Sequence, residues 1–197
     1  MEDRLIWVDE QDRIVGSGPK MRTHVLARLH RAFSLFLVDR EGGQVLLQRR
    51  AKGKYHSGGL WSNACCSHPR FGETLEEAVR KRTAYELGIQ LLPEDEVTAC
   101  GHFVYRADYE ELSEHELDHV FVCRKDPALI PTDRFRHDEV EAMKWVETGE
   151  LRAWMLREPE AFSAWFAPAW KLVEQTLFPE EGKETGAQTS HDGKELP

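Results

Sequence analysis

Cys66 and His68 stand two residues apart in Trp61-Ser62-Asn63-Ala64-Cys65-Cys66-Ser67-His68-Pro69, with Arg82 and Glu86 a short distance downstream. A thiol, an imidazole, a guanidinium and a carboxylate can supply one pocket with a proton donor, a metal ligand and an anion site. A thiol just ahead of a helix start and near cations is tuned for proton transfer, whereas most free cysteines are simply buried. Cys65 has nearly the same local surroundings as Cys66, so local chemistry does not choose between them.

Glu114 and Glu116 are the second constellation. On a strand, residues two apart share a face, and two carboxylates held together are costly unless a cation joins them or one is protonated. The plainer alternative is a solvated acidic edge over residues 110–116. His24, His30 and His68 added to this pair would make a mixed nitrogen and oxygen site for Mn²⁺, Mg²⁺ or Zn²⁺, although spacing alone does not bring them together. His115-Glu116-Leu117-Asp118-His119 matches the H-E-x-x-H zinc protease pattern. That pattern needs a helix, and Val120-Phe121-Val122-Cys123 predicts a strand, which aims the odd-numbered histidines away from Glu116. Lys20, Arg50, Lys54 and Arg82 are either solvated surface charges or, if they converge, a cluster able to grip a diphosphate. Trp165 is either a packing residue of an amphipathic helix or a π-face for a cation.

The elements that must position these groups read as follows. Residues 4–8 and 13–15 form a hairpin, 32–38 a buried strand, 44–48 its antiparallel neighbour, and 52–59 a basic Gly/Ser loop. Residues 74–87 are the clearest helix, opened by the Thr74/Glu77 capping box and stopped at Gly88. Leu75, Val79, Arg82 and Glu86 share one of its faces. Residues 97–107, 116–124 and 139–146 read as strands, and two or three helices, broken near Pro168, occupy 148–178. The polar Gly/Glu/Lys/Ser tail over 179–197 is expected to be disordered, which leaves one mixed α/β domain over 1–178.

Composition bounds the function. A net charge of −9 argues against general nucleic-acid binding. No run approaches the roughly 18 apolar residues of a membrane span. The charged start, Met1-Glu2-Asp3-Arg4, is not followed by a secretory apolar region. Four cysteines, two of them adjacent, do not make a disulfide framework, so the chain is expected to be cytoplasmic with reduced thiols.

Together these residues resemble the type I isopentenyl-diphosphate isomerases, from about Lys20 through Trp165. The resemblance rests on Lys20-x-x-x-His24, His30-Arg31-Ala32-Phe33-Ser34, the Trp61 to Pro69 stretch, Tyr85-Glu86-Leu87-Gly88, Tyr105-Arg106-Ala107, Glu114-x-Glu116 and Phe162-Ser163-x-Trp165. It implies an α/β (α+β) Nudix-like fold, a mixed sheet with flanking helices, whose signature box is degraded here. Glu73, Glu86 and Gly88 survive, while Arg82 and Tyr85 replace two metal-binding glutamates of the Nudix hydrolases. It further implies Cys66 and Glu116 as the acid/base pair with Tyr105 assisting, and one divalent metal on His24, His30, His68, Glu114 and Glu116. A second ion, Mg²⁺, would arrive with the diphosphate on Glu86 and the Cys66 carbonyl. Lys20, Arg50, Lys54 and Arg82 would grip the phosphates, and Trp165 would face a carbocation. The loop at Tyr55-His56-Ser57-Gly58-Gly59 lacks the Trp-Pro-Gly of some relatives. The partner expected is a small-molecule diphosphate, and the chain a monomer or weak homodimer. The rivals are a Nudix-type diphosphate hydrolase, a metal-stabilised binding domain and, more remotely, a zinc protease.

Overall fold

The computed structural model describes residues 4–54 and 56–179. Strands β1 (Arg4–Val8) and β2 (Ile14–Pro19) form the expected hairpin, and a short helix, α1 (Lys20–Val25), follows. Then come β3 (His30–Val38), β4 (Gln44–Arg50), β5 (Trp61–Ser62), β6 (Cys65–Ser67) and helix α2 (Leu75–Leu87). A long hairpin of β7 (Val97–Asp108) and β8 (Ser113–Arg124) precedes β9 (Val140–Glu147), α3 (Thr148–Arg157) and α4 (Phe166–Leu177). The strands join in one mixed sheet with helices on its two sides, as the sequence led one to expect. Tyr55 and the tail from residue 180 lie outside the described residues.

Everything pivots on β3. One of its edges runs parallel to β8 from His30↔Glu116 to Val38↔Arg124. The other edge is shared in turn by β1 at His30, β6 at Phe33 to Leu35, and β4 at Leu37 and Val38. A strand covered on both faces needs no polar alternation, which is why residues 32–38 read as a nearly continuous apolar run. Phe33, Leu35 and Leu37 share a buried cluster with Ala78, Val79 and Leu87 of α2. On the opposite face Phe36 and Val38 join Phe166, Ala169, Trp170 and Val173 of α4. The Phe36 ring lies 5.7 Å from Phe166 and 5.6 Å from Trp170.

Helix α2 is bounded as its sequence requires. Thr74 accepts from the Glu77 amide, Glu77 accepts from the Thr74 amide, and Gly88 takes a left-handed φ of 66°. The helical C-terminal region differs from expectation. The chain breaks between α3 and α4, around a 3-10 turn at Pro159–Ala161, and not at Pro168. Pro168 falls in the first turn of α4, where an amide has no intrahelical acceptor to lose. The short α1 was not anticipated, because six residues are too few for a helical period to emerge.

Thr74→Ala removes one half of the reciprocal cap. It should destabilise the protein by about 1 kcal/mol. The measurement is urea denaturation, with a lower midpoint and an unchanged slope.

Candidate active site

The registers of β3 assemble the reactive groups. Parallel pairing sets His30 beside Glu116, antiparallel pairing sets Cys66 across from Ser34, and the β7–β8 hairpin sets Tyr105 across from Glu116. Glu116 is 5% exposed, and its two oxygens have separate partners. Oε1 accepts from His68 Nε2 at 2.8 Å and lies 3.4 Å from His30 Nε2, while Oε2 accepts from the Tyr105 hydroxyl at 2.7 Å. The solvated-edge alternative for Glu114 and Glu116 therefore fails, since both are buried.

His24, carried by α1, meets His30 and His68 with ring centroids 4.9–5.4 Å apart. Thr23 anchors that helix by accepting from the Trp7 indole at 2.9 Å. One ligand atom from each of the three imidazoles lies within 4.8 Å of the others. Burial lowers the His24 pKa to about 4 and holds His68 well below the usual imidazole range, so both rings are neutral and can offer lone pairs. His30 is pre-set by a hydrogen bond of 2.7 Å from Nδ1 to the Arg28 carbonyl, which leaves Nε2 facing the cluster. Among the described residues, His30 Nε2 and His68 Nδ1 are buried without a hydrogen-bond partner. Neutral, convergent nitrogens beside carboxylates fit a divalent cation. Glu114 lies alongside, with Oε1 2.9 Å from His56 Nε2 and Oε2 accepting from Tyr109 at 3.2 Å. Burial, then the neighbouring Glu116 charge, raise its pKa to about 8.

Strand parity separates the two cysteines. Cys65 is fully buried on the α2 side of the sheet, its sulfur 3.8 Å from Glu86 Oε2. Cys66 faces the cleft with Glu116, Tyr105 and Trp165, and Arg50 Nη1 donates to its sulfur at 3.4 Å. Burial pushes the Cys66 thiol up to about 12 against the opposing pull of Arg50. Trp165 stands at the N-terminus of α4 and is 2% exposed, and its indole N–H donates to Asn63 at 3.0 Å. The Arg50 guanidinium lies 5.1 Å from its ring.

Lys20, Lys54 and Arg82 line the same cleft. Burial, and then Lys54, Arg70 and Arg82, lower the Lys20 pKa to about 8. Glu139 is set among these cations, paired with Lys54 and 3.6 Å from Arg82. Arg82 also reaches Glu86 at 2.5 Å and lies over the Tyr85 ring, 4.8 Å from its centre.

Residues 28–166 match the NUDIX domain family. A Burkholderia multivorans isopentenyl-diphosphate Delta-isomerase is 48% identical over 167 residues, covering 84% of this chain and 90% of that one. The chain belongs to the isopentenyl-diphosphate Delta-isomerases of the NUDIX family. A Photobacterium profundum member of this isomerase family is 43% identical over 181 residues, covering 90% of this chain and 97% of its own. Among solved structures, a Deinococcus radiodurans protein aligns with a TM-score of 0.64 at 20% identity, covering 87% of this chain and 98% of that one. A C. elegans Ap4A hydrolase aligns with a TM-score of 0.52 at 16% identity, covering 75% and 96%. These two likenesses are of fold.

Lys20, Arg50, Lys54, Cys66, His68, Arg82, Glu86, Tyr105, Glu114, Glu116 and Trp165 line one cleft, and His24 and His30 cluster with His68, whereas Tyr85 is exposed. The H-E-x-x-H match lies in strand β8, where His115 contacts the Ala27 carbonyl at 3.1 Å and His119 contacts Asp12 at 3.1 Å. Both point away from Glu116, which removes the zinc-protease geometry. Sequence reasoning missed His56, Tyr109, Asp118 and Glu139. Asp118 carried a signal, since it shares the strand parity of Glu114 and Glu116; its carboxylate accepts from Ser34 at 2.8 Å.

Two opposite proton linkages act on the metal-free protein. His24 takes its proton near 6.5 when unfolded but only near 4 when folded, so stability falls as pH drops below about 6.5. Glu114 keeps its proton to about 8 when folded but only to about 4.5 when unfolded, so its contribution is lost as pH rises toward 8. Between about 6.5 and 8 the His24 slope has ended and the Glu114 slope remains, at most roughly 1.4 kcal/mol per pH unit, with buried Asp118 acting in the same direction. Glu114→Gln should reduce the pH dependence there, as read by urea titrations in chelator across that window.

Proposed function

We propose that this chain interconverts isopentenyl diphosphate and dimethylallyl diphosphate, with Cys66 and Glu116 as its acid/base pair. The observation that carries this reading is that the Cys66 thiol and the Glu116 carboxylate, which lie far apart in sequence, line one cleft beside a cation cluster. An unactivated alkene is a poor base. One member of the pair delivers a proton to the terminal alkene carbon, leaving a tertiary carbocation. The other removes a proton from the adjoining methylene, and the double bond re-forms one position inward. Because the reaction is reversible, the two groups exchange roles in the opposite direction.

The remaining residues follow from the needs of that cation. Tyr105 donates to Glu116 and fixes the carboxylate toward the cleft. Trp165, oriented by Asn63, offers its π-face to the cationic carbon and keeps out the water that would trap it as an alcohol. Lys20, Arg50, Lys54 and Arg82 hold the diphosphate. A divalent metal on His24, His30, His68, Glu114 and Glu116 (Mn²⁺, Mg²⁺ or Zn²⁺) would withdraw charge from Glu116 and set its proton affinity. A Mg²⁺ bound with the diphosphate would rest on Glu86 and the Cys66 carbonyl and neutralise phosphate charge.

Arg82 and Tyr85 favour isomerisation over hydrolysis. They stand where the hydrolases of this superfamily place metal-binding glutamates, and here they form a stack, with Arg136 4.4 Å and Arg82 4.8 Å from the Tyr85 ring. The site is thereby suited to holding a diphosphate without cleaving it.

Proton NMR of isopentenyl diphosphate in D₂O with enzyme and Mg²⁺ tests the reading. Dimethylallyl signals with deuterium incorporation are expected. Phosphate release without allylic product would favour a hydrolase, and no turnover under any metal condition a binding domain. Cys66→Ser and Glu116→Gln should each lower kcat by roughly 10²–10⁴-fold while inorganic diphosphate still binds. Wild-type turnover in both variants would remove the acid/base assignment.

A further inference from the structure

The loop between β4 and β5 is built inward. Ser57 adopts a left-handed φ of 51°, and Gly58 leaves no room for a side chain, because a Cβ there would lie 2.6 Å from the Lys52 carbonyl. Arg50 ties the loop down by donating to the His56 carbonyl at 3.4 Å. The result is an imidazole driven into the protein, with His56 only 7% exposed. An apolar ring would fill that space at lower desolvation cost, so a buried polar ring needs a partner.

That partner is Glu114. His56 Nε2 lies 2.9 Å from Glu114 Oε1, and the Tyr109 hydroxyl donates to Oε2 at 3.2 Å. Ser57 Oγ lies 3.0 Å from that same hydroxyl, so neighbouring loop residues reach both ends of the clamp. The His56 and Tyr109 rings lie 5.4 Å apart and brace each other. Each carboxylate oxygen has two lone pairs. In the ionised form that a cation would bind, the clamp uses one on each side, fixing the plane of the carboxylate and leaving the others for that cation.

We infer that His56, with Tyr109, is a positioning residue that orients Glu114 as a metal ligand. The inference rests on the metal reading of the His24, His30 and His68 cluster. Hydrogen-bonded partners of ligating groups typically carry 10–100-fold in metal affinity. His56 lines the same cleft, and this role is exerted through Glu114.

The test is equilibrium Mn²⁺ binding to the metal-free full-length chain, read by the EPR signal of free Mn²⁺, with thermal melts in chelator as a check of folding. His56→Phe should weaken Mn²⁺ binding about 10–100-fold, and His56→Gln, which restores an N–H donor, should recover most of the loss. Tyr109→Phe, which deletes only a hydroxyl, should weaken binding about tenfold and decides the matter if His56→Phe does not fold. A folded His56→Phe protein that binds Mn²⁺ as tightly as wild type would overturn the role of His56 alone. A wild-type protein that takes up no Mn²⁺ would overturn the metal reading and this inference together.

Discussion

Parallel pairing between β3 and β8 fixes the geometry of the candidate site, because it aligns His30 with Glu116 and carries that alignment through nine residue pairs into the core. On the other edge, β6 is held only from Phe33 to Leu35, yet that short ladder places Cys66. The same strand buries its apolar half between α2 and α4. Reactive groups and core therefore share one backbone, and anything that loosens the core misaligns the site. A strand paired on both edges is among the least deformable supports available, which suits groups that must meet across a small substrate.

Charge in the cleft is balanced locally rather than by solvent. Burial opposes the charge of Glu116, but His68 and His30 beside it hold its carboxyl well below the usual carboxylate range. Burial, and then the charge of Glu116, drive Glu114 the other way, toward its protonated form. The cations are balanced in turn: Glu139 is paired with Lys54 and close to Arg82. An acidic chain of net charge −9 can thus hold a dense cationic pocket for an anion without a basic surface.

Much of this was legible in the sequence, and the gaps have physical causes. The limits of α2 were readable because capping is local: Thr74, Glu77 and Gly88 each act within one turn. The strand parity of Glu114 and Glu116 could also be read, because a period of two needs only a few residues. The convergence of His24, His30 and His68 could not, since it depends on long-range pairing and on a six-residue helix with no period to detect. Local chemistry did not choose between Cys65 and Cys66 either; only the family resemblance pointed to Cys66. Their local surroundings match, and only the pairing with β3 decides which face each takes. Pro168 misled because proline is a breaker inside a helix but is harmless in its first turn. His56 escaped notice because its role arises from loop geometry, where side-chain types carry little pattern.

Asn63 acquires a particular importance from the adjacent cysteines. A one-residue slip of a strand exchanges its two faces. Here a slip that moves Cys65 into the place of Cys66 would still present sulfur to the cleft, so the thiol alone cannot discriminate the correct alignment from that neighbour. Asn63 can. It is fully enclosed; its amide nitrogen donates to the Leu35 and Cys65 carbonyls at 3.2 and 2.7 Å, and its oxygen accepts from Ser62 and Trp165 at 2.9 and 3.0 Å. With both donors and both lone pairs engaged, displacement by one residue would strand several polar atoms in a dry interior. Asn63 thus acts as the ratchet that selects which of two identical neighbours faces the cleft.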